Sequence, residues 1–248
     1  SGSGSNAHVR SVTCQSRLTI MATKEKDVAS AVDPSRVSKV LEFLHIVGKL
    51  KEVKRTGWVR SGVQGAESVS DHMYRMALMG FAMGQKEGVD PSKCIKMALV
   101  HDLGESLIGD LVTVGNRQDK ITREEKIRKE RQAIHDISAG LGGEAGEEIR
   151  ALWEEFEAGE TSEARHLQDL DKFEMVLQAS EYEEAQGLPL SDFFRTTAGK
   201  FGTPLFQELD AEVRRRRTKR MEDQDQQPPA SKRPRAAAAE GAAAAAAP

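Results

Sequence analysis

The sequence predicts an all-α fold, organised as a single globular helical domain. Between about residue 33 and residue 215, apolar side chains recur at helical spacing, and no run of strict alternation is long enough to build a sheet. The chain has 248 residues, of which 38% are hydrophobic, so it has room for one domain with a sizeable core. We therefore expect a helical bundle over residues 33–215, with disordered extensions over residues 1–32 and 216–248.

The first predicted helix begins at Asp33. Aspartate is a preferred N-cap residue, and Pro34 suits the first helical position because proline lacks the N–H that the first turn leaves unpaired. Apolar residues then follow at helical spacing, and we expect them to form a buried stripe: Val37, Val40, Leu41, Leu44 and Val47. His45 lies beside this stripe and is interpreted as a core or boundary residue rather than a metal ligand.

Two further helices follow a polar, glycine-containing loop over residues 55–65. Ser70 is the expected N-cap of the second helix, whose predicted stripe is Met73, Met76, Ala77, Gly80 and Phe81. Asp90, which is followed by proline, repeats the pattern at the start of the first helix and predicts a third helix that continues to Leu103. Gly109 is expected to end this segment.

The remaining helices are predicted over residues 123–141, 146–158 and 162–185. The middle one carries Trp153 and Phe156, which are interpreted as core residues. No internal repeat is evident in the sequence.

A mixed-charge run opens the helix predicted over residues 123–141. Charges at this spacing usually form a solvated helix face with ion pairs of modest strength, so we expect solvent exposure for Glu124, Glu125, Lys126, Arg128, Lys129, Glu130 and Arg131. His135 and His166 match no functional pattern and are also expected to face solvent.

The composition favours a soluble protein of a reducing compartment. A net charge of −3 argues against a nucleic-acid coat. Cys14 and Cys94 are too few for a disulfide framework or a thiolate zinc site. No stretch of about 18 consecutive apolar residues is present, so we expect no membrane span. These features favour the cytoplasm, with the nucleus or an organelle as alternatives.

Both ends of the sequence carry features unrelated to a core. The first residues, SGSGSNA, are interpreted as an expression scar with Met21 as the native start, and an organelle transit peptide is the alternative for residues 1–24. The basic clusters at residues 214–220 and 231–235 could serve a nuclear import receptor or bind nucleic acid weakly. The simpler interpretation is a solvated helix end followed by a disordered tail.

The strongest chemical signal is the segment His101-Asp102-Leu103-Gly104-Glu105. It follows an apolar helix, so polar side chains at this point need a reason. His101 and Asp102 diverge by about 100° on a helix and can share a cation at their common edge, while Glu105 lies one turn further on the same face. Because an isolated His-Asp pair more often caps a helix or forms a salt bridge, a metal site requires further ligands.

Two other positions can supply such ligands. His72 lies near the start of the second predicted helix, and Asp171 lies beside the apolar stripe of the last one. A buried carboxylate is strongly unfavourable without a cation or a strong donor. Two imidazoles and two carboxylates suit one divalent ion, with Mn, Fe, Co, Ni, Zn and Mg as candidates. Such an ion makes water more acidic and neutralises charge on a phosphoryl oxygen.

The order of His72, His101-Asp102 and Asp171 resembles the H…HD…D signature of the HD-domain metal-dependent phosphohydrolases. Five blocks are also similar to the HD-domain-containing 5′-deoxynucleotidases: Arg55-Thr-Gly-Trp58, Glu67-Ser-Val-Ser-Asp-His72, His101-Asp-Leu-Gly-Glu105, Gly109-Asp110 and Gln168-Asp-Leu-Asp171. The resemblance covers about residues 36–212. It implies an HD-domain helical bundle and a homodimeric enzyme that acts on deoxynucleoside 5′-monophosphates.

The resemblance also implies roles for individual residues. The metal ligands would be His72, His101, Asp102 and Asp171. Glu105 would be the catalytic acid/base group, and Asp110 would hold the substrate or share the proton transfer. Arg55 would contact the phosphate and Trp58 the sugar or base; the alternative is a surface arginine and a core tryptophan. The loop over residues 111–115 lacks the proline often present in this family, which could alter substrate choice.

Two alternative functions remain open from the sequence. A related HD phosphohydrolase could act on nucleoside triphosphates, cyclic dinucleotides or a hyperphosphorylated guanine nucleotide. The sequence shows no second Lys and Arg cluster within the domain for a phosphate chain, which favours a monophosphate. The other alternative is a catalytically silent adaptor for dimerisation or nucleotide sensing, but every expected ligand and Glu105 are present.

Overall fold

The computed structural model describes residues 33–83, 88–113 and 121–225. These residues form ten helices and an isolated antiparallel bridge between Lys54 and Ser68, with no strand among them, so the all-α prediction is confirmed. The helices are α1 (Pro34–Lys49), α2 (Thr56–Arg60), α3 (Val69–Met83), α4 (Pro91–Ala98), α5 (Glu105–Ile108), α6 (Arg123–Leu141), α7 (Gly143–Ala158), α8 (Ser162–Gln186), α9 (Ser191–Thr197) and α10 (Pro204–Asp225). Of the segments predicted as extensions, residues 1–32 and 226–248 lie outside this description, whereas residues 216–225 belong to α10.

Helix α8 is the central element of the bundle. It contacts α3, α4, α7, α9 and α10. Apolar residues that recur every three or four positions along it are buried: Leu167, Leu170, Phe173, Val176 and Ala179. Because α8 is covered on several sides, polar residues on it also face the interior, and Glu174 is 0% exposed. This helix therefore carries carboxylates into the middle of the protein.

Local capping confirms the predicted starts of two helices. Oδ1 of Asp33 accepts a hydrogen bond from the N–H of Ser35 at 2.9 Å, at the start of α1. Oδ1 of Asp90 accepts one from the N–H of Ser92 at 2.9 Å, at the start of α4. In both cases a proline follows the cap, as the sequence predicts.

The predicted cap of α3 is wrong, because Ser70 already lies inside the helix. Oδ2 of Asp71 accepts a hydrogen bond from the N–H of Ser68 at 2.8 Å, and Oγ of Ser68 accepts one from the N–H of Asp71 at 3.2 Å. This reciprocal pair starts α3 at Val69. It fixes the first turn of the helix, which contains His72.

The predicted third helix is interrupted before it reaches Leu103. Helix α4 ends at Ala98, so His101 and Asp102 lie in the turn that joins α4 to α5. Backbone hydrogen bonds that span three residues tighten this turn, such as the one from the N–H of Glu105 to the carbonyl of Asp102 at 3.0 Å. The two side chains are therefore held by a compact turn rather than by a continuous helix.

In the apolar stripe predicted for α1, Val47 is partly buried against the core, but the other four residues are exposed in the described chain. Val37, Val40, Leu41 and Leu44 are 44%, 38%, 53% and 55% exposed. Helix α1 packs against α5 and α6 at the edge of the bundle, and no other described helix covers this face. Phe81 of α3 was also predicted to be buried and is 74% exposed. The prediction holds for the other members of the α3 stripe, which are buried: Met73, Met76, Ala77 and Gly80.

Two polar residues that were expected at the surface are buried. His166 is 2% exposed, and its ring lies 5.0 Å from that of Phe206 because α10 covers this side of α8. Glu130 is 5% exposed because α6 packs against α5. Sequence predictions are confirmed for the exposed His135 and for the buried Trp153 and Phe156.

The basic cluster at residues 214–220 attaches α10 to its neighbours. Arg217 forms a bidentate ion pair with Glu183 of α8, with distances of 2.5 and 2.9 Å. Arg214 donates to the carbonyl of Phe194 in α9 at 2.9 Å. Part of the charge is therefore neutralised within the fold, and α10 continues past residue 215, the domain boundary expected from the sequence. Among the described helices, none is long and apolar enough to cross a bilayer.

Candidate metal centre

Four of the predicted site residues meet inside the bundle. His72 comes from α3, His101 and Asp102 from the turn after α4, and Asp171 from α8. Nε2 of His72 lies 3.2 Å from Oδ1 of Asp171 and 3.8 Å from Oδ2 of Asp102. Nε2 of His101 lies 3.1 Å from the same Asp102 oxygen. Three elements distant in sequence thus bring two imidazoles and two carboxylates together.

The hydrogen bond of His101 determines which ring nitrogen is free. Nδ1 lies 2.9 Å from the carbonyl oxygen of Ala98. Because a carbonyl oxygen can accept but not donate, Nδ1 carries the proton and Nε2 keeps its lone pair. Nε2 is buried and has no hydrogen-bond partner among the described residues.

His72 has a similar arrangement, with a carboxylate in place of the carbonyl. Nδ1 lies 2.6 Å from Oε2 of Glu174. Nε2 lies on the side of Asp171 and is also buried without a hydrogen-bond partner in the described chain. Burial and the charge of Arg55 lower the pKa of His72, but the contacts with Asp171 and Glu174 outweigh both and raise it to about 9. Without a cation, this imidazole therefore holds a second proton at neutral pH.

Asp102 and Asp171 remain ionised although they are partly buried, with side chains that are 12% and 34% exposed. Burial raises the pKa of Asp102, but His101 and Arg55 hold it well below its ordinary value. Burial also raises the pKa of Asp171, but the contact with His72 lowers it to about 2. Two charged oxygen donors therefore accompany the two imidazoles.

This donor set fits a divalent cation. Donor atoms of His72, His101 and Asp102 lie within 4.8 Å of one another. The two buried Nε2 atoms face carboxylate oxygens at 3.2 and 3.1 Å without forming a hydrogen bond to them, which is the arrangement expected of ligands around a shared cation. Mixed nitrogen and oxygen donors suit Mn²⁺, Fe²⁺, Co²⁺, Ni²⁺ or Zn²⁺.

A second group of potential ligands lies on the other side of the His72 ring. Atoms of Glu67, His72 and Glu174 also come within 4.8 Å of one another. However, Glu67 accepts a hydrogen bond from Nε1 of Trp58 at 2.9 Å, and Glu174 accepts one from Nε of Arg75 at 2.7 Å. These carboxylates already have donors, so we describe this group as a hydrogen-bonded support rather than as a metal site.

Glu105 is a buried acid beside the cluster. It is 1% exposed, and neither carboxylate oxygen has a hydrogen-bond partner among the described residues. Burial, with the charges of Asp102 and Asp110, raises its pKa well above the ordinary value. Nζ of Lys126 lies 3.6 Å from Oε1 of Glu105 and 3.3 Å from Oε1 of Glu130. A carboxyl group with a raised pKa is suited to acid/base chemistry.

A cavity of about 490 Å³ lies next to the cluster, although the four candidate ligands are not among its lining residues. Arg55 is part of its lining, and Nη1 of this residue lies 3.3 Å from Oδ2 of Asp102. Burial lowers the pKa of Arg55, but the carboxylates of Asp102 and Asp171 raise it above its ordinary value. Arg55 therefore stays positively charged. The cavity therefore has a guanidinium group beside the candidate ligands.

Asp110 also lines the cavity and holds its wall together. Gly109 ends α5 with a φ of 74°, as predicted, and Asp110 follows it. Oδ2 of Asp110 accepts a hydrogen bond from the N–H of Thr56 at 2.6 Å, which ties this segment to the loop of Arg55. Of the loop after Asp110, residues 111–113 line the cavity, whereas residues 114 and 115 lie outside the described chain.

Trp58 is a core residue at the edge of the cavity. It is 2% exposed, and its ring lies 4.3 Å from the ring of Phe193 and 5.4 Å from that of Tyr182. Phe193 also lines the cavity and is only half-buried. The burial of Trp58 favours the alternative of a core tryptophan, and Phe193 offers more aromatic surface to a ligand.

Three residues near the site were not identified from the sequence. Glu174 had a usable signal, because it lies three residues after Asp171 and therefore on the same face of α8. Lys126 was interpreted as part of a solvated run, and its position depends on how α6 packs against α5. Phe193 lies on α9, which no motif marks.

Comparison with known proteins identifies the family. A model described as "HD domain" matches residues 47–209, which include all four candidate ligands. The 5′-deoxynucleotidase HDDC2 of Dictyostelium discoideum is 52% identical over 185 residues, covering 70% of this chain and 95% of that protein. The chain belongs to the HD-domain-containing 5′-deoxynucleotidase family. Another family member, human 5′-deoxynucleotidase HDDC2, is 45% identical over 179 residues, covering 70% of this chain and 85% of that protein.

Solved structures share the fold of this HD-domain protein. A conserved hypothetical protein from Pyrococcus furiosus matches with a TM-score of 0.59 and 33% identity, covering 71% of this chain and 99% of that chain. The HD domain-containing protein YGK1 matches with a TM-score of 0.53 and 28% identity, covering 73% of this chain and 86% of that chain. The bundle around the candidate metal centre is therefore the HD-domain fold.

Proposed function

We propose that this HD-domain enzyme hydrolyses deoxynucleoside 5′-monophosphates to nucleoside and phosphate. A divalent cation would be held by His72, His101, Asp102 and Asp171. The observation that carries the proposal is the convergence of these four donors beside a cavity with a guanidinium group. Support for the substrate class comes from the Dictyostelium and human relatives, which are named 5′-deoxynucleotidases.

The chemistry divides between the cation and the side chains of the chain. A bound divalent ion supplies Lewis-acid chemistry, which activates water and neutralises phosphoryl charge. Glu105 holds or moves a proton, taking it from the attacking water or giving it to the leaving 5′ oxygen as the P–O bond breaks. Arg55 binds the phosphate through paired N–H donors, and Asp110 contacts the sugar or shares the proton transfer.

A specific observation supports the triphosphate alternative. Arg60 and Arg195 also line the cavity, although they form no cluster of cations along the sequence. Nη2 of Arg195 lies 2.9 Å from Oδ1 of Asp192, so part of this charge is neutralised at the surface. A nucleoside monophosphate remains the substrate that we propose. Arg55 contacts the candidate ligand Asp102, so its guanidinium group is placed to bind a single phosphate next to the metal ion.

A phosphate-release screen tests the proposed function. The purified chain is assayed with ribo- and deoxynucleoside 5′-monophosphates and with dNTPs, in the presence of Mn²⁺, Co²⁺, Mg²⁺ or Zn²⁺ and with a chelator control. We expect inorganic phosphate from dAMP or dTMP, and no release after chelation. Intact triphosphate from dNTPs would select the alternative, and inactivity on every monophosphate with every cation would reject the proposal.

We also propose that the enzyme is a homodimer. Leu41 and Leu44 on α1 are exposed, and so are Tyr74, Leu78 and Phe81 on α3, at 64%, 51% and 74%. Large apolar faces of this kind often mark protein interfaces. A second copy of the chain is the occupant we propose, because closed two-fold assemblies are the commonest soluble oligomers.

We propose a cytoplasmic location for the enzyme. Cys94 is buried and free, which suits a reducing compartment. The nuclear and organelle alternatives, and weak nucleic-acid binding by the tail, depend on segments outside the described residues, including the basic cluster at residues 231–235. Imaging of the full chain and of a variant truncated after Asp225 tests this: nuclear accumulation lost on truncation would assign a targeting role to the tail.

A further inference from the structure

Helices α3 and α8 face each other with the same three-residue spacing of functional side chains. His72 and Arg75 share a face of α3, and Asp171 and Glu174 share a face of α8. His72 contacts both carboxylates: Nε2 lies 3.2 Å from Asp171, and Nδ1 lies 2.6 Å from Glu174. Arg75 extends the arrangement, because its Nε lies 2.7 Å from the second oxygen of Glu174.

Glu174 is placed as a support for an imidazole rather than as a ligand. Its side chain is 0% exposed, with one oxygen bonded to His72 and the other to Arg75. Its Oε1 lies 2.7 Å from Nε and 2.5 Å from Nη2 of Arg75, so the carboxylate is paired with a guanidinium group on the side away from His72. An ionised carboxylate accepts hydrogen bonds and cannot donate them, so the His72 nitrogen that faces it must carry a proton.

We propose that Glu174 is a positioning residue of the metal centre: it fixes His72 with a proton on Nδ1, so that the lone pair of Nε2 points toward Asp102 and Asp171. Arg75 holds Glu174 in the required orientation. This inference rests on the proposed function, since it assigns a support to one of the proposed ligands.

The role of Glu174 can be tested separately from the rest of the site, because different groups set the tautomers of His72 and His101. The tautomer of His101 is set by the backbone carbonyl of Ala98, which no substitution removes. The tautomer of His72 depends on a side chain, which can be changed. Supporting groups of this kind typically alter metal affinity by about 10- to 100-fold when they are removed.

The first experiment reads the tautomer directly in the unaltered protein. Long-range ¹H–¹⁵N correlation of the Zn²⁺-loaded, histidine-labelled chain reports which ring nitrogen carries the proton, and the His72 signals are assigned by their loss in His72→Gln. We expect a protonated Nδ1 and a zinc-bound Nε2. The reverse assignment would overturn the proposal, and this test does not require a Glu174 variant to fold.

The second experiment compares two carboxylate variants on α8. Glu181 also pairs with Arg75, at 2.7 Å, but it is exposed and does not contact His72, so Glu181→Gln is the matched control for Glu174→Gln. Mn²⁺ affinity is measured by competition with a fluorescent chelator. We expect Glu174→Gln to weaken Mn²⁺ binding by about 10- to 100-fold, with Glu181→Gln within about twofold of wild type and with dAMP turnover of Glu174→Gln largely restored at saturating Mn²⁺.

The outcomes separate this inference from the proposed function. Equal Mn²⁺ affinity of Glu174→Gln and wild type would overturn the inference while leaving the enzyme assignment intact. Absence of Mn²⁺ binding and phosphate release in wild type would instead overturn the proposed function. Equal weakening in both variants would assign the effect to Arg75 and also contradict the specific role of Glu174.

Discussion

Nζ of Lys126 lies 3.6 Å from Oε1 of Glu105, on a helix face that the sequence predicts to be solvated. The Lys126 side chain is 25% exposed and the Glu105 side chain 1% exposed, so this contact is largely shielded from water. Glu130, one turn along α6, holds the other side of the ammonium group at 3.3 Å. The contact joins the candidate acid/base residue to a helix that contributes none of the four candidate metal ligands.

We predict that Lys126→Met lowers the kcat for phosphate release by about 100-fold, because loss of the ammonium group displaces the Glu105 carboxylate. KM for dAMP and affinity for Mn²⁺ should stay close to wild type. Steady-state kinetics and chelator competition check this. Lys129→Met is the matched control, since Lys129 pairs with the partly exposed Glu125 on the same helix. A near-normal kcat in Lys126→Met would show that the contact does not position Glu105.

Substitution of Glu105 by Gln should separate proton transfer from metal binding. The amide keeps the shape of the side chain but cannot take up or release the proton, so we expect the kcat to fall by roughly 10²- to 10⁴-fold. The metal content, measured by mass spectrometry of the purified protein, should equal that of wild type. Loss of metal together with activity would instead make Glu105 a ligand.

The raised pKa of His72 predicts that the metal-free protein loses stability as the pH rises. The pKa is about 9 in the folded state, against an ordinary value of 6.5, so the folded state binds more protons between these values. The stabilisation is therefore complete below about pH 6.5 and is lost as the pH rises through about 9. We expect the free energy of unfolding to fall by on the order of 3 kcal/mol across this window.

Urea unfolding of chelator-treated protein at several pH values measures this loss. The control is His72→Gln, which lacks the titrating group and should show a much flatter dependence between these pH values. A wild-type protein whose unfolding free energy is constant from pH 6.5 to 9, or falls as steeply in the variant, would contradict the assigned pKa.

Charge on the exposed face of α1 should disrupt the proposed dimer. Leu41 and Leu44 are 53% and 55% exposed, so Leu41→Glu with Leu44→Glu leaves the core intact but places two charges in the interface. Light scattering coupled to size-exclusion chromatography should give a dimer mass for wild type and a monomer mass for the variant. Glu42→Gln, on the same helix, should remain dimeric. A monomeric wild type would reject the proposed dimer.

The sequence alone predicted correctly those structural features that depend only on neighbouring residues. Capping by Asp33 and Asp90, the bounds of α6 and the end of α5 at Gly109 all depend on neighbouring residues, and the structure places them as predicted. The candidate ligands His72, His101, Asp102 and Asp171 were proposed because their order along the chain resembles the signature of a known family.

The features that could not be predicted depend on which helices pack against each other. Periodicity marks Leu41 and Leu44 as an apolar face but does not say whether the same chain covers it. Lys126 and Glu130 look like any mixed-charge face until α6 packs against α5. The contact of Glu174 with His72 requires the relative register of α3 and α8, which spacing along one helix does not supply.

The most direct test of the metal centre combines metal binding with turnover in His101→Ala and Asp171→Asn. Mn²⁺ affinity is measured by chelator competition, and phosphate release from dAMP is measured on the same samples, with Asp136→Asn at an exposed position as the control. We predict that each site variant loses Mn²⁺ binding and turnover together, while the control retains both. Wild-type Mn²⁺ affinity and dAMP turnover in Asp171→Asn would contradict the proposal that these side chains hold a shared catalytic ion.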